Sequence, residues 1–471
     1  MVNFFKIVDP LRVGLILVIL FLIRLPVIIN GYPLLYPELN WLLIGEKLHD
    51  GFTMYKDVWH TTEPWSAWMY FFTDIISSRS QWALFIISSL FVLVQSLLFT
   101  YVININQVFG ERTLLPALFY VIFSTLFVDF FTLSPVLMGM TFILLAVHFI
   151  LLQYRHGNTQ EMTFYCGLMI GCASMFYLPL FLFLFFAVVV LSLFTLPKLR
   201  DHFILLVGGL FPIVVTAVYY FVNDSLELFY LNLIVPYFDR ETLIFADFQL
   251  HVLVLVIPAL MVATSFFFIS NFSNYINYQY NCIKTIIVYL VFALIVLLLA
   301  IDVAVFQLFV FVPAFSFFSS HLYHLVRNTW FREVSFWVFT GFMLLINYGI
   351  LFGSAFKKKQ VEMQQMMMVT DKSRTLPLEI ANKKLLVIGE DMDYYKNNSL
   401  ATPYLDWRLA KRELSDLNNY ENVSNIYENF RKDLPDIIID EKKVMGNIFN
   451  RIPFLKESYL RVGKTDIYTR K

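Results

Sequence analysis

The acids, histidines and aromatic residues that could perform chemistry crowd into one stretch of this 471-residue chain, between Gly31 and Trp65. It contains Tyr36-Pro37-Glu38, then Glu46, then His49-Asp50-Gly51, and then Tyr55-Lys56-Asp57-Val58-Trp59-His60-Thr61-Thr62-Glu63-Pro64. Glu38 opens an apolar helical run, 39–48, and Pro37 suits the first turn of a helix, where a missing N–H costs nothing. A carboxylate near a membrane surface loses part of its hydration, which raises its pKa and suits it to accept a proton. The plainer reading is a helix N-terminal carboxylate stabilised by the helix dipole. His60 and Glu63 are acid–base candidates. His-x-x-Glu alone is too loose to indicate a metal, and a surface loop histidine reads as well.

Composition sets what must position these residues. Hydrophobic residues make up 59% of the chain and charged residues only 15%, against about a quarter charged in soluble domains. A globular core of this size could not bury 51 phenylalanines. The zero net charge hides a division: residues 1–355 hold 14 Lys/Arg and 18 Asp/Glu, whereas 356–471 hold 21 and 17. This describes a lipid-embedded body followed by a water-soluble tail. Neither part carries a dominant basic surface, which argues against nucleic acid as a partner. Cys166, Cys172 and Cys282 form no disulfide framework or zinc spacing.

A membrane helix needs about 20 mostly apolar residues. That rule predicts eleven spans, at 11–30, 82–104, 113–130, 133–153, 162–177, 178–196, 203–222, 250–270, 284–300, 303–323 and 334–353. The run from Leu11 lacks a small-residue cleavage site after it and reads as the first span. Pro179 leaves open whether 162–196 is one kinked span or two. Residues 64–76, rich in Trp and Tyr, read as a helix lying in the interface. With the N-terminus in the cytoplasm, every inner segment holds a basic residue, among them Arg12, Arg112, Arg155, Lys198 and Arg327. Lys357–Lys359 oppose this orientation, which otherwise places the tail outside.

The domain organisation expected is a body, 1–355, with a long first outside loop, 31–81; a linker, 356–382; and a tail, 383–471. The tail has an α/β rhythm. Lys384–Gly389, Pro435–Asp440 and Asp466–Arg470 read as strands, and 401–416, 424–432 and 443–459 as helices, the last broken by Pro453. Gly389 followed by Glu390-Asp391-Met392-Asp393 lacks the glycines of a phosphate cradle.

An acid just after the first span, an amphipathic helix, the Gly51-x-x-x-Tyr55-x-Asp57 turn with Trp59, and Glu63-Pro64 before an aromatic helix resemble GT-C type polyprenyl-phosphate-dependent glycosyltransferases. Within that superfamily the likeness is to the protein mannosyltransferase and aminoarabinose transferase group. Leu133-Ser134-Pro135, Arg155-His156-Gly157-Asn158 and Tyr165-Cys166-Gly167-Leu168-Met169-Ile170-Gly171 are similar to later segments of those enzymes. So are Tyr394-Tyr395 and Thr402-Pro403 in the tail. The resemblance implies an all-α polytopic membrane protein of about eleven helices with a small C-terminal α/β domain.

It also implies inverting sugar transfer from a lipid-linked donor to an envelope glycan, lipid or protein at the outer face of the inner membrane. On that carry-over Glu38 is the base and Asp57 a second catalytic acid. Tyr55, Trp59, His60, Glu63 and Arg79 would contact substrate. No cofactor is implied beyond the polyprenyl-phosphate-linked sugar itself. The donor phosphate needs cations, and the outer candidates are Lys47, Lys56, Arg79 and Arg240, with Arg24 late in the first span. Arg24 is either a snorkelling anchor or a phosphate ligand. This chain has Leu39 beside Glu38 where the family often has a second acid, so a non-catalytic GT-C-like scaffold, binding envelope or secretion proteins through its tail, is the alternative. Proton-coupled transport would want midplane acids, but Asp129 and Asp302 fall near the outer ends of their spans.

Overall fold

The computed structural model describes all residues except 158, 196, 240–247, 273–274, 353–368, 370–381 and 464. Arg240, Lys357–Lys359 and, apart from Val369 and Asn382, the linker expected at 356–382 therefore lie outside the described residues. The chain divides into two compact units. One comprises Met1–Tyr32, Trp82–Thr216 and Thr242–Met366; the other comprises Pro33–Gln81, Ala217–Glu241 and Met367–Lys471.

Among the described residues six helical segments are long and apolar enough to cross a membrane: Pro10–Asn30, Gln81–Ile105, Pro135–Arg155, Leu199–Val222, Asn277–Leu298 and Val305–Leu325. The protein is a multi-pass membrane protein. Shorter apolar helices include Leu178–Phe194 and Leu255–Ile269. The helix starts obey local chemistry. Asp9 caps Pro10–Asn30, its carboxylate accepting from Leu11 N at 3.3 Å, and Ser134 caps the next helix at Pro135, its hydroxyl accepting from Leu137 N at 3.2 Å.

One of the expected spans, at 113–130, is interrupted. The stretch at 113–130 is a nine-residue helix, Leu115–Phe123, followed by a 3-10 turn at Val128–Phe131. Ser124 and Thr125 turn their hydroxyls back onto the Val121 and Ile122 carbonyls, satisfying groups that a continuing helix would have used. Nine residues cover about 14 Å at 1.5 Å each, roughly half the hydrocarbon thickness. All nine are buried in protein, the condition under which a broken helix is tolerated at membrane depth. The pair around Pro179 is two segments. Gln160–Phe176 ends at the extended Tyr177, and a 3-10 turn, Leu178–Leu182, leads into Phe183–Phe194.

Lipid offers no hydrophobic drive between helices, so close packing must supply the association. Gly167-Leu168-Met169-Ile170-Gly171 is where it does. A Cβ at Gly167 would collide with the Leu205 carbonyl, and one at Gly171 with the Gly209 carbonyl. Across the contact, a Cβ at Gly208 would lie 2.5 Å from the Phe164 carbonyl. The backbones of Gln160–Phe176 and Leu199–Val222 thus touch directly.

The second unit is built around a five-stranded sheet of order β2-β1-β3-β5-β4. Its strands are β1 (Lys384–Ile388), β2 (Ser399–Leu400), β3 (Ile437–Asp440), β4 (Tyr459–Arg461) and β5 (Ile467–Arg470). β1 and β3 pair in parallel, Leu385 opposite Ile437, and their continuous apolar runs suit burial on both faces. β5 joins antiparallel to β3, and the short β4 closes the edge. β2 and β4, two and three residues long, are too short to show periodicity in the sequence. Trp59 belongs to the same core as Leu386, Ile438, Tyr404 and Leu409, so the first loop completes the apolar centre of the tail.

Candidate active site

Glu38 is the third residue of the helix Tyr36–His49, which begins at the extended Leu35 with Pro37 in its first turn. Its side chain turns back, and Oε2 accepts from Leu35 N at 3.4 Å, one half of a capping box. The same oxygen accepts from Gln81 Nε2 at 2.9 Å, and Gln81 Nε2 also donates to the Pro33 carbonyl at 3.2 Å. The carboxylate is completely buried. The helix is pinned on both sides. Tyr36 Oη donates to Asp393 Oδ1 at 2.7 Å, and Trp41 stacks on Tyr70 of the helix Pro64–Ile76 at 5.4 Å. Gly45 allows that approach: a Cβ there would lie 2.6 Å from the Tyr70 carbonyl.

Tyr70, the stacking partner of Trp41, lies in the field of two acids. Its phenol is fully buried and its pKa is raised well above the ordinary value, first by burial and then by the carboxylates of Glu63 and Glu38. Glu63, the residue before Pro64, is also buried and accepts from Tyr237 Oη at 3.3 Å. Both carboxylates are thus enclosed by protein, Glu38 on Leu35 N and Gln81 Nε2 and Glu63 on Tyr237 Oη.

The other predicted residues fasten the turn that follows. Asp57 Oδ2 accepts from Thr53 N at 2.9 Å and Thr53 Oγ1 at 2.8 Å, and Oδ1 pairs with Lys432. Burial pushes the Asp57 pKa up, but the Lys432 ammonium and the Thr53 donors prevail and hold it below the usual carboxylate value. Tyr55 has a left-handed backbone, φ +68°, a conformation costly for a bulky residue. It is held there by Tyr55 N donating to Val58 O at 2.9 Å, by Asn232 Nδ2 donating to Tyr55 O at 3.2 Å, and by its own Oη donating to Thr62 O at 2.7 Å.

Trp59 behaves as an extra strand of contact with the tail. Its N–H donates to the Pro403 carbonyl at 2.9 Å and its carbonyl accepts from Asp406 N at 3.1 Å. Its ring packs edge-on against Tyr404 at 5.3 Å, with the Arg412 guanidinium 5.7 Å from its centre. His60 Nδ1 accepts from Thr62 N at 3.1 Å and lies 2.8 Å from Thr62 Oγ1. Arg79 forks onto tail carbonyls, donating to Asn398 O at 2.7 Å and to Tyr395 O, and lies 3.5 Å from Glu46 Oε2. Burial lowers the Arg79 pKa and raises that of Glu46. Among the described residues no three His, Cys, Asp or Glu side chains gather as a metal ligand set.

Arg24 belongs to the other unit. It is 2% exposed and points into the protein rather than toward lipid. Nη1 donates to Ser88 Oγ at 3.0 Å and Ser89 Oγ at 2.5 Å, and Nη2 to the Phe130 carbonyl at 3.4 Å. The guanidinium sits 5.3 Å and 5.1 Å from the ring centres of Phe85 and Phe131. Among the described residues it has no carboxylate partner, and its Nε has no hydrogen-bond partner. A charge buried on hydroxyls, carbonyls and rings with no counter-anion is expensive.

No protein-family model and no curated protein sequence matches the chain. Among solved structures, that of ArnT from Cupriavidus metallidurans bound to undecaprenyl phosphate aligns over 98% of this chain and 96% of its own length. The TM-score is 0.55 and the identity 12%. The chain has a GT-C fold. The resemblance seen in the Tyr55–Asp57 turn and the Thr402-Pro403 segment therefore extends to the tertiary fold of nearly the whole protein. Within this fold, sequence reading missed Gln81, Tyr70, Asp393 and Lys432. Gln81, Asp393 and Lys432 lie far along the chain from the Glu38, Tyr36 and Asp57 they contact, and Gln81 reads merely as the polar start of a span.

Proposed function

We propose that this protein is a membrane glycosyltransferase that moves a sugar from a polyprenyl-phosphate donor to a hydroxyl of an envelope glycan, lipid or protein. The observation that carries this reading is Glu38, a fully buried carboxylate in the first turn of Tyr36–His49 whose Oε2 is held by Leu35 N and Gln81 Nε2. The likeness to ArnT, solved with undecaprenyl phosphate, supports a lipid-linked donor. Glu38 is the base. The acceptor oxygen attacks the anomeric carbon, its proton passes to Glu38, and the bond from that carbon to the phosphate oxygen breaks. Both electrons of the broken bond leave with the polyprenyl phosphate, and the configuration at carbon inverts. Since Glu38 is enclosed, the acceptor reaches it when the Gln81 and Leu35 contacts open.

Arg24 takes the donor phosphate, which would supply the anion that its hydroxyl and ring partners lack. Asp57, tied to Lys432 and Thr53, and Trp59, tied to Pro403 and Asp406, hold the loop in place, with Tyr55, His60 and Arg79. The lysine and arginine bias places the N-terminus in the cytoplasm and the tail at the outer face of the inner membrane. A second reading, a scaffold without catalysis that binds envelope proteins through its tail, is favoured by one fact: the Leu35 N and Gln81 Nε2 bonds to Glu38 Oε2 are of the kind that cap and brace a helix. Comparing envelope glycan profiles of a deletion strain with those of a Glu38→Gln strain separates the two. Transferase action predicts that both lose the same glycoform; a profile restored by Glu38→Gln assigns the protein a non-catalytic role.

A further inference from the structure

Within the second unit, a cavity of about 180 Å³ lies between the end of the helix Tyr36–His49, the helix Pro64–Ile76 and residues 219–225. Leu48, Phe52, Trp68, Phe71 and Tyr219 line it, together with the buried Met54 and Tyr220. The Trp68 and Tyr219 rings meet edge-on at 5.3 Å, which joins Pro64–Ile76 to the end of Leu199–Val222. Tyr220 stacks on Phe229 at 4.8 Å and meets Tyr55 edge-on at 5.2 Å, so this wall is fixed to the strained turn at Tyr55.

The donors in the lining are engaged by the chain itself. Thr53 gives both N and Oγ1 to Asp57 Oδ2, Ser225 Oγ donates to the Tyr220 carbonyl at 3.1 Å, and Asn223 Nδ2 donates to the Tyr219 carbonyl at 2.8 Å. The Tyr220 hydroxyl is itself enclosed by protein. Water needs two to four polar partners to stay in a cavity, and an apolar cavity of about 150 Å³ stays dry and takes a benzene ring. This cavity is of that size and well below the roughly 300–1,000 Å³ of sites that enclose a whole small molecule. It suits the end of a hydrocarbon chain.

Both walls run on into surface that only lipid could cover. Beside Phe71, the helix Pro64–Ile76 exposes Phe72, Ile75 and Ile76; beside Tyr219, Leu199–Val222 exposes Val218, Phe221 and Val222 at the end of a membrane-length span. Large apolar side chains gathered in this way mark a lipid-facing surface in a membrane protein. Trp68 and Tyr219, apolar rings with one polar atom each, suit the boundary between lipid and water. We infer that the cavity seats the methyl end of an acyl chain from a bilayer phospholipid, wedged between Pro64–Ile76 and the end of Leu199–Val222. None of Glu38, Glu63 and Arg24 lines it, and a chain seated here does not require sugar transfer.

The test uses the full-length protein reconstituted in phosphatidylcholine vesicles, with a diazirine near the methyl end of some acyl chains. After illumination and digestion, mass spectrometry should find adducts on Phe52–Met54 as well as on the exposed Ile75 and Ile76. Met54 is 2% exposed and lines the cavity, so a chain reaches it from within. Leu48→Trp, which fills the space with side chain, should lower the Met54 adducts about tenfold and leave those on Ile75 and Ile76 unchanged. Adducts on Ile75 and Ile76 with none on Phe52–Met54 overturn the site in the unmodified protein, whatever Leu48→Trp does. Undiminished Met54 adducts in folded Leu48→Trp overturn it too. Loss of the Met54 adducts when polyprenyl phosphate is added to the vesicles gives the cavity to an isoprenoid chain and overturns the phospholipid assignment; their persistence supports it.

Discussion

Gln81 Nε2 sits 2.9 Å from Glu38 Oε2 and 3.2 Å from the Pro33 carbonyl, so a single amide joins the candidate base to the chain that leads into its helix. The residue that opens the second long helix thereby governs access to the acid that opens the first loop helix. Sugar transfer requires this contact to open, whereas a purely structural Glu38 requires it to stay closed.

Glu38→Gln keeps the size of the side chain and an acceptor for the Leu35 N–H, so that half of the cap survives. Transfer measured with a lipid-linked sugar donor should fall by about 10²–10⁴-fold, the usual loss of a general base. The thermal midpoint should barely move. A drop in stability with transfer intact would make Glu38 a brace.

Asp57 provides the pH dependence. Its folded pKa lies below the unfolded value, so it contributes stability above the unfolded value of about 3.9, and this is lost as pH falls through the folded pKa. Lys432→Ala removes the main cause of that depression. The acid side of the unfolding curve should then move to higher pH, with a cost near neutrality of about 1 kcal/mol because Lys432 is half exposed. Unfolding midpoints measured across pH 3 to about 7 check it.

Arg79 donates to two tail carbonyls at once, a geometry that lysine cannot reproduce. Arg79→Lys should lose most of what Arg79→Ala loses, about 1.5–3 kcal/mol for charged hydrogen bonds to buried acceptors. Faster proteolysis within residues 383–471 of both variants is the expected readout.

At the Gly167–Gly171 contact, backbone meets backbone. Gly171→Val should force Gln160–Phe176 away from Leu199–Val222 and cost at least about 1–3 kcal/mol. Thermal unfolding in detergent measures it. Gly14→Val, at a glycine with open space around its Cβ position, should cost much less.

Sidedness has a direct check. Ser415 is exposed on the tail, whereas Cys166 and Cys282 are buried. In intact cells or spheroplasts, Ser415→Cys should react with an impermeant thiol reagent if the tail is outside. Labelling only after lysis places it in the cytoplasm.

The sequence by itself determined the membrane body, the helix at 64–76, which is Pro64–Ile76 in the structure, and the three longest strands of the tail. Those features are local: an apolar run of span length, or a β-branched run between turns, has few other ways to satisfy its backbone. Glu38 was visible for the same reason, as an acid at a helix start. Tertiary structure alone decided the rest. It broke the span at 113–130, because Ser124 and Thr125 took the helix carbonyls and surrounding protein made the break affordable. It placed Trp59 in the core of a sheet more than 300 residues away. It also buried Glu38 and Glu63, set Gln81 over the first, and committed Asp57 to Lys432. Burial and partnership come from packing between distant segments, and they fix whether an acid is a base, a cap or half of an ion pair.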